Sequence, residues 1–449
     1  MSAADVTRTH DVIVVGAGPV GLAAAAHLLE RGLTPLVLEA GEAGSAVASW
    51  GHVRLFSPWR YDIDAAARRL LAPTGWLEPD PDALPTGAEL VRGYLVPLAA
   101  HPAIAPLLRT GVRVVGVTRD GLDKTQSLGR DRAPYRVRTV DAQGQVADLL
   151  ARAVLDASGT FSTSNPIGTG GLPAAGEEAC ADVVTGPLPD VLGRDRARFS
   201  GKTTLVVGMG HSAAQTLLAL VELSATEPAT RIVWAIRGGS ARRLFVGGAA
   251  DELPARGLLG TDLKAATESG AIELVTRTSI TRLDPVAGRI RVRGRCRAGD
   301  LDLTADVIVN ATGFRPDLGM VREVRLDLDP IVEAPRRLAP LIDPNLHSCG
   351  TVPAHGEAVL AHPDAGFYVV GMKSYGRAPT FLLATGYEQV RSIAAALAGD
   401  RAGADEVRLD LPEIGICSTD LVGETGGASC CAAPLGAPVD AGARASLLG

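Results

Sequence analysis

A strand that runs into three glycines near the start of the chain restricts its fold more than any other feature. Asp11–Val15 (DVIVV) is a short apolar run of the kind that makes a buried parallel strand, and Gly16, Gly18 and Gly21 complete a GxGxxG pattern at its end. Residues Leu22 to Arg31 read as a helix. The first glycine permits a tight turn, the second lets a pyrophosphate reach the backbone, and the third lets helix and strand pack closely. An anion placed there meets free N–H groups and the positive end of the helix dipole. A second strand, Pro35–Leu38, ends at Glu39, about 20 residues past the middle glycine. A carboxylate at that point accepts hydrogen bonds from a ribose 2′-hydroxyl and repels a 2′-phosphate, so the pattern suits FAD or NAD and disfavours NADP. Gly16, Gly18, Pro19, Gly21 and Glu39 are its candidate contacts.

The chain repeats this arrangement with a different ending. Thr203–Val207 is a strand, Gly208-Met209-Gly210-His211-Ser212-Ala213 reads GxGxxA, and Ala214–Leu223 is an apolar helix. The next strand, Ile232–Ile236, ends at Arg237, where the first unit has its glutamate. Arg237, with Arg242 and Arg243 close behind, offers bidentate partners to a 2′-phosphate, so the second unit should prefer NADPH. One glycine pattern arises easily by chance in an alanine-rich chain. Two of them, each at a strand-to-helix junction and with complementary ribose residues, do not. The segments AVLDASG (Ala153–Gly159) and VIVNATG (Val307–Gly313) also resemble each other, as strand followed by an Asp/Asn-Ala-Ser/Thr-Gly turn. They add Gly159, Thr312 and Gly313 to the candidate cofactor contacts, and Gly371, at the end of the strand-like run FYVVG, completes the set. A long helix is predicted over Pro379–Leu397.

Together these imply an α/β fold of two Rossmann-like three-layer dinucleotide-binding domains, with the NADPH domain inserted in the FAD domain. The reading gives residues 1–165 and 305–399 to the FAD domain, 166–304 to the NADPH domain, and 400–449 to a flexible tail containing cysteines. At 449 residues, 46% apolar and 21% charged, the chain has room for such a pair of cores. A net charge of −6 argues against nucleic-acid binding, which needs a basic surface. No apolar stretch is long enough to span a bilayer and none reads as a signal peptide, so a soluble cytoplasmic protein is expected. The six cysteines show no CxxC spacing, so neither a disulfide framework nor a flavin-adjacent redox pair is indicated.

Three groups of residues carry open alternatives. Trp50, Arg54, Phe56, Ser57 and Trp59 follow a loop expected over Gly41–Trp50, and in a chain only 4% aromatic they read either as a wall stacking on a flavin ring, with Trp50 and Arg54 as cofactor contacts, or as a satellite hydrophobic cluster. His347, Cys349, His355 and His362 read as a loop closing over the flavin or as ordinary surface structure; a metal site would need a fourth ligand that the spacing does not supply. Cys417, Cys430 and Cys431 could capture a thiophilic metalloid such as As(III), or be incidental thiols. No catalytic side chain and no metal ligand stands out.

The order of FAD fingerprint, inserted NADPH fingerprint, ATGF-type strand and closing helix resembles the flavoproteins with two dinucleotide-binding domains. These include the thioredoxin and disulfide reductases and the class B flavin monooxygenases. Phe199-Ser200-Gly201-Lys202 is similar to the FxGK lead-in of the monooxygenases, and Gly371 is followed by Met372 where the reductases have Gly-Asp. The FxGxxxHxxxY/F signature is missing, since residues 171–190 contain no histidine. That departure makes the chain most similar to the flavin monooxygenases found beside arsenic-resistance genes. The resemblance implies that NADPH reduces FAD, that the reduced flavin captures O₂ as a C4a-hydroperoxide, and that oxygen passes to a soft nucleophile such as S, N or trivalent As. It implies a small-molecule substrate and a protein whose work is positioning and exclusion of water. An NADPH-dependent reductase of a disulfide or thiol-bound metalloid is the alternative, and a flavin-binding redox sensor without turnover is the third.

Overall fold

The computed structural model describes residues 8–245, 254–343, 352–378 and 381–409. Its first sheet has the order β3-β2-β1-β6-β5-β4, with β15 also paired to β6. The parallel part comprises β1 (Thr9–Val15), β2 (Pro35–Leu38), β3 (Leu108–Arg109), β6 (Val146–Asp156) and β15 (Phe367–Val369). The antiparallel part adds β4 (Val112–Arg119) and β5 (Tyr135–Asp141). Residues 12–15 of β1 are all apolar because both faces of the strand are covered there. Val12 and Val14 point into a cluster with Ala23–Ala26 of helix α1 (Pro19–Glu30), while Ile13 and Val15 point to the opposite cluster with Val117, Tyr135 and Phe367.

One local feature differs from the sequence reading, and a second interrupts a helix. The segment 41–50 holds a short helix, Ser45–Ser49, entered through Gly44 in the left-handed region. The helical stretch 87–99 contains a π turn, Val91–Leu95, immediately before the turn carrying Pro97. Proline cannot donate to the carbonyl four residues back, and a widened turn absorbs that defect. The freed Gly93 carbonyl instead accepts from the Trp76 indole N–H at 2.7 Å.

The second sheet, β10-β9-β8-β14-β7, is parallel. It is built from β7 (Val184–Thr185), β8 (Thr203–Val207), β9 (Arg231–Ala235), β10 (Glu273–Val275) and β14 (Val307–Asn310), with helix α2 (His211–Thr226) between β8 and β9. An antiparallel meander of β11 (Ser279–Val286), β12 (Arg289–Cys296) and β13 (Gly299–Ala305) packs beside it. The strand β14 corrects the sequence reading, which returned the chain to the first domain at residue 305. Val307–Asn310 pairs with β8 and β7 instead. The chain crosses between the sheets later, where residues 163–165 and 313–315 run antiparallel: Asn165 N–H donates to Gly313 O at 2.9 Å and Arg315 N–H to Thr163 O at 3.0 Å.

Helix α3 (Leu383–Leu397) starts later than the predicted Pro379, and Pro379 lies outside the described residues. Gly386 brings α3 close to α1, since a Cβ there would lie 2.6 Å from Val20 Cγ2. A short helix, α4 (Arg401–Asp405), capped by Asp400, occupies the segment where the composition suggested the tail begins. It is tied back by Arg401, which donates to Glu357 at 2.6 Å. Cys417, Cys430 and Cys431 lie outside the described residues.

Candidate cofactor and active site

Each glycine of the first fingerprint meets a distinct constraint. Gly16 has φ +102°, and a Cβ on it would sit 2.7 Å from Ala157 O. A Cβ on Gly21 would sit 2.0 Å from Gly16 O, so any side chain there would drive α1 off β1. Gly18 is extended (φ −77°, ψ −174°) and faces open space within 4 Å. The start of α1 has Pro19 in its first turn, no side-chain cap and no acidic residue, so its dipole is uncompensated. At the end of β2 the Glu39 carboxylate accepts from Ala17 N–H and Gly41 N–H, both at 2.8 Å. Two backbone donors fix its orientation and leave lone pairs for ribose hydroxyls. A concave, uncapped cradle ending in a fixed carboxylate fits the adenosine and pyrophosphate of FAD.

Gly159 (φ +69°) and Gly371 (φ +67°) follow the ends of β6 and β15 beside this cradle, and a Cβ on Gly371 would press within 3.2 Å of Val20. The sequence reading missed what lies between them. Lys373 Nζ donates to Asp156 Oδ2 at 2.7 Å and to Ser158 Oγ at 3.0 Å, and lysine and aspartate are 1% and 0% exposed. Gln389 accepts from Gly371 N–H at 2.8 Å and reaches Ser374 Oγ and His355 Nε2, each at 2.9 Å. His355 Nδ1 faces Pro353 O at 3.0 Å, and burial lowers the pKa of its ring. His355 and His362 are therefore buried structural groups, the latter pushed down to about 4 by burial. His347 and Cys349 lie outside the described residues, and no metal-binding cluster occurs among those described.

The second cradle reproduces the first. Gly208 has φ +135°, and a Cβ there would lie 2.0 Å from Ala311 O; Gly210 is extended and faces open space. Ala213 replaces the third glycine and is fully buried. α2 carries neither a side-chain cap nor an acidic residue in its first turn, and Ser212 is half-buried within that turn. The turns after β6 and β14 match in chemistry as well as sequence. Asp156 Oδ1 accepts from Ser158 N–H at 3.2 Å and Oγ–H at 2.6 Å, while Asn310 Oδ1 accepts from Thr312 N–H at 3.2 Å and Oγ1–H at 2.7 Å. Thr312 and Gly313 thus belong to the second cradle. Arg237 and Arg242 are exposed at its β9 edge; Arg243 lies in the same short helix, Arg242–Phe245.

The aromatic group after Trp50 divides. Trp50 packs on Gly87, where a Cβ would lie 2.8 Å from its ring, and Trp59 is buried in the first core. Arg54 donates to Leu84 O and approaches Glu89 at 3.8 Å. These three serve the 84–93 segment. Phe56 does not: its ring meets His211 edge-on at 5.5 Å, at the start of α2, and Gln215 donates to Arg54 O at 3.4 Å. The short helix that follows, Trp59–Asp62, ends in Asp62, which is fully buried. One of its oxygens accepts from Ser57 Oγ–H at 2.7 Å, the other has no partner, and burial raises the carboxyl to about 7.

Residues 11–167 match the family model for FAD dependent oxidoreductase. The chain carries an FAD-dependent oxidoreductase domain. The first of its two cradles lies within the matched residues. The oxidoreductase is 32% identical over 224 residues to the indole-3-pyruvate monooxygenase YUCCA8 of Oryza sativa subsp. indica, an alignment covering 47% of this chain and 45% of that protein. The chain thus spans about half the length of the curated relatives it matches. Among solved structures it resembles the bacillithiol disulfide reductase Bdr (YpdA) of Bacillus cereus, with a TM-score of 0.65 at 17% identity over 87% of this chain and 99% of that one. It also resembles DfoA, the desferrioxamine biosynthetic cadaverine monooxygenase of Erwinia amylovora, with a TM-score of 0.60 at 16% identity over 91% and 99% of the two chains. The fold is that of flavoproteins with two nucleotide-binding domains. No helix among the described residues is long and apolar enough to cross a membrane.

Proposed function

We propose that the oxidoreductase is an NADPH-dependent FAD monooxygenase that oxygenates a soft nucleophile, S, N or trivalent As. The observation that carries this reading is the pair of unlike cradles, Glu39-ended and Arg237-ended, with Phe56 of one domain lying against His211 of the other. FAD, held in the first cradle, would supply the two-electron redox chemistry between NADPH and O₂. The reaction balances as NADPH, H⁺, O₂ and substrate giving NADP⁺, water and oxygenated substrate. The protein's own contribution is placement. The α1 and α2 termini hold two pyrophosphates, Glu39 selects an unphosphorylated ribose, and Arg237 selects a phosphorylated one. The buried Lys373–Asp156–Ser158 cluster keeps the floor between Gly159 and Gly371 dry and rigid.

A second reading, reduction of a disulfide or thiol-bound metalloid, is supported by the likeness to the bacillithiol disulfide reductase fold. Among the described residues the cysteines are Cys180, in the core of the second domain, and Cys296, on β12; neither lies at the first cradle. O₂ uptake and product formation by the FAD-loaded enzyme under NADPH, with a thioether, an amine and arsenite, separate the readings. Oxygenated product formed undiminished by the Cys430→Ser/Cys431→Ser variant is the expected result. Activity that collapses in that variant and needs no O₂ overturns it in favour of the reductase.

A further inference from the structure

Most arginines on this surface are neutralised by a carboxylate. Arg138 meets Asp148 at 2.8 Å, Arg282 meets Asp284 at 2.7 Å, and Arg377 meets Glu333 at 2.7 Å. Around the C-terminal ends of β9 and β10, as at several other surface arginines, no such partner occurs among the described residues. There Arg237, Arg242, Arg277 and Arg297 are exposed, and none makes an ion pair among the described residues. Like charges brought together without a counter-charge raise the free energy of the fold and make an anion site.

Arg277 stands out within this group by its backbone. Its φ of +54° is left-handed, a region that non-glycine residues occupy at a cost and that clusters at ligand sites. Of the other two such residues, Ala287 lies in the β11–β12 turn and Glu333 pairs with Arg377. Arg277 is held by its N–H donating to Gly238 O at 2.9 Å, while Thr278 N–H donates to Ile236 O at 2.8 Å. The strained turn therefore fastens onto the residues that follow β9 and aims the guanidinium across them. A Cβ on Gly239 would lie 3.5 Å from Arg277 Nε, so the bare backbone at 239 leaves room for the fork. Arg237, two residues earlier, flanks the same stretch from β9.

We propose that Arg277 is a ligand-binding residue, the second guanidinium of a site for the 2′-phosphate of an adenine nucleotide, meeting from the β10 side the dianion that Arg237 meets from the β9 side. The inference rests on the NADPH reading and adds to it a residue 40 positions downstream of Arg237. Two guanidiniums on one phosphate would account for the lack of a carboxylate partner for either among the described residues, and for the left-handed backbone at Arg277.

The test is calorimetric titration of the FAD-loaded enzyme with 2′,5′-ADP and with 5′-ADP. Arg277→Gln should weaken 2′,5′-ADP about tenfold or more and leave 5′-ADP within about twofold, since one charge-assisted contact to the extra phosphate is lost. Arg277→Gly, which suits the left-handed backbone, should give the same loss with unimpaired folding, and Arg282→Gln, whose partner is Asp284, should change neither affinity. The proposal is overturned if Arg277→Gly binds 2′,5′-ADP as tightly as the parent, or if it weakens both nucleotides equally. A parent enzyme with no preference for 2′,5′-ADP overturns the NADPH reading itself, which separates that failure from an error over Arg277 alone.

Discussion

Lys373 and Asp156 form an ion pair at 2.7 Å with essentially no solvent contact, in the floor between the first glycine cradle and the crossing to the second domain. Removing one partner of such a pair strands the other charge, which typically costs about 3–5 kcal/mol. Lys373→Met should therefore destabilise the enzyme by roughly that amount in urea unfolding. The double variant Lys373→Met/Asp156→Leu should recover part of it, because the stranded carboxylate is gone. A Lys373→Met protein as stable as the parent would show that the pair is not what holds this floor.

Gly16 and Gly18 should separate folding from cofactor binding. Gly16→Ala meets both a left-handed φ and the Ala157 carbonyl, so a loss of about 1–3 kcal/mol in thermal unfolding is expected. Gly18→Ala meets nothing in the protein and should fold within about 0.5 kcal/mol of the parent. Its methyl group stands where the pyrophosphate approaches, so FAD retention through purification should fall sharply. Equal stability of the two apoproteins would contradict the geometry.

Asp62 links stability to pH. Burial holds its carboxyl near 7, above the ordinary value near 3.9, so the native state binds this proton more tightly than the unfolded chain. The associated stability is complete below about pH 4 and is lost as the pH rises through 7. Asp62→Asn, which keeps the neutral shape, should raise stability by about 1–2 kcal/mol at pH 8 and much less at pH 5. Denaturant melts at the two values check this, and a gain independent of pH would exclude the carboxyl as its source.

His362 acts in the opposite sense. Its Nδ1 accepts from Asp327 N–H at 3.2 Å and burial lowers its pKa to about 4. A base whose folded pKa is depressed contributes fully above about pH 6.5, and that contribution is lost as the pH falls toward 4. His362→Gln should flatten the fall in stability between pH 6.5 and 4 seen in the parent. An unchanged slope would place the acid sensitivity elsewhere.

The parts of the site that were legible in the sequence are those where one residue type has one physical job. Gly16 and Gly208 need positive φ, Gly21 needs a missing Cβ, and Glu39 and Arg237 close their strands with opposite charge. The similar strands AVLDASG and VIVNATG were legible as strands, but an apolar strand carries no label for the sheet it joins. The pairing of Val307–Asn310 with β8 is decided by tertiary packing. Lys373 and Asp156, 217 residues apart, and Arg277, whose proposed role depends on where β10 ends beside β9, become visible only once distant segments meet. The aromatic group stayed open between two readings because Trp50 and Trp59 answer a packing need at Gly87 and Gly93, whereas the Phe56 ring meets His211 of the second domain.

The most direct measurement is anaerobic reduction of the purified yellow protein, followed by loss of flavin absorbance, with NADPH and NADH compared in the parent and in Arg237→Glu. Unlike cradles require that NADPH bleach the parent at concentrations at least about tenfold lower than NADH, and that the variant reverse or abolish this preference. A protein that is colourless and takes up no FAD, or one that NADH and NADPH reduce equally in both forms, contradicts the account.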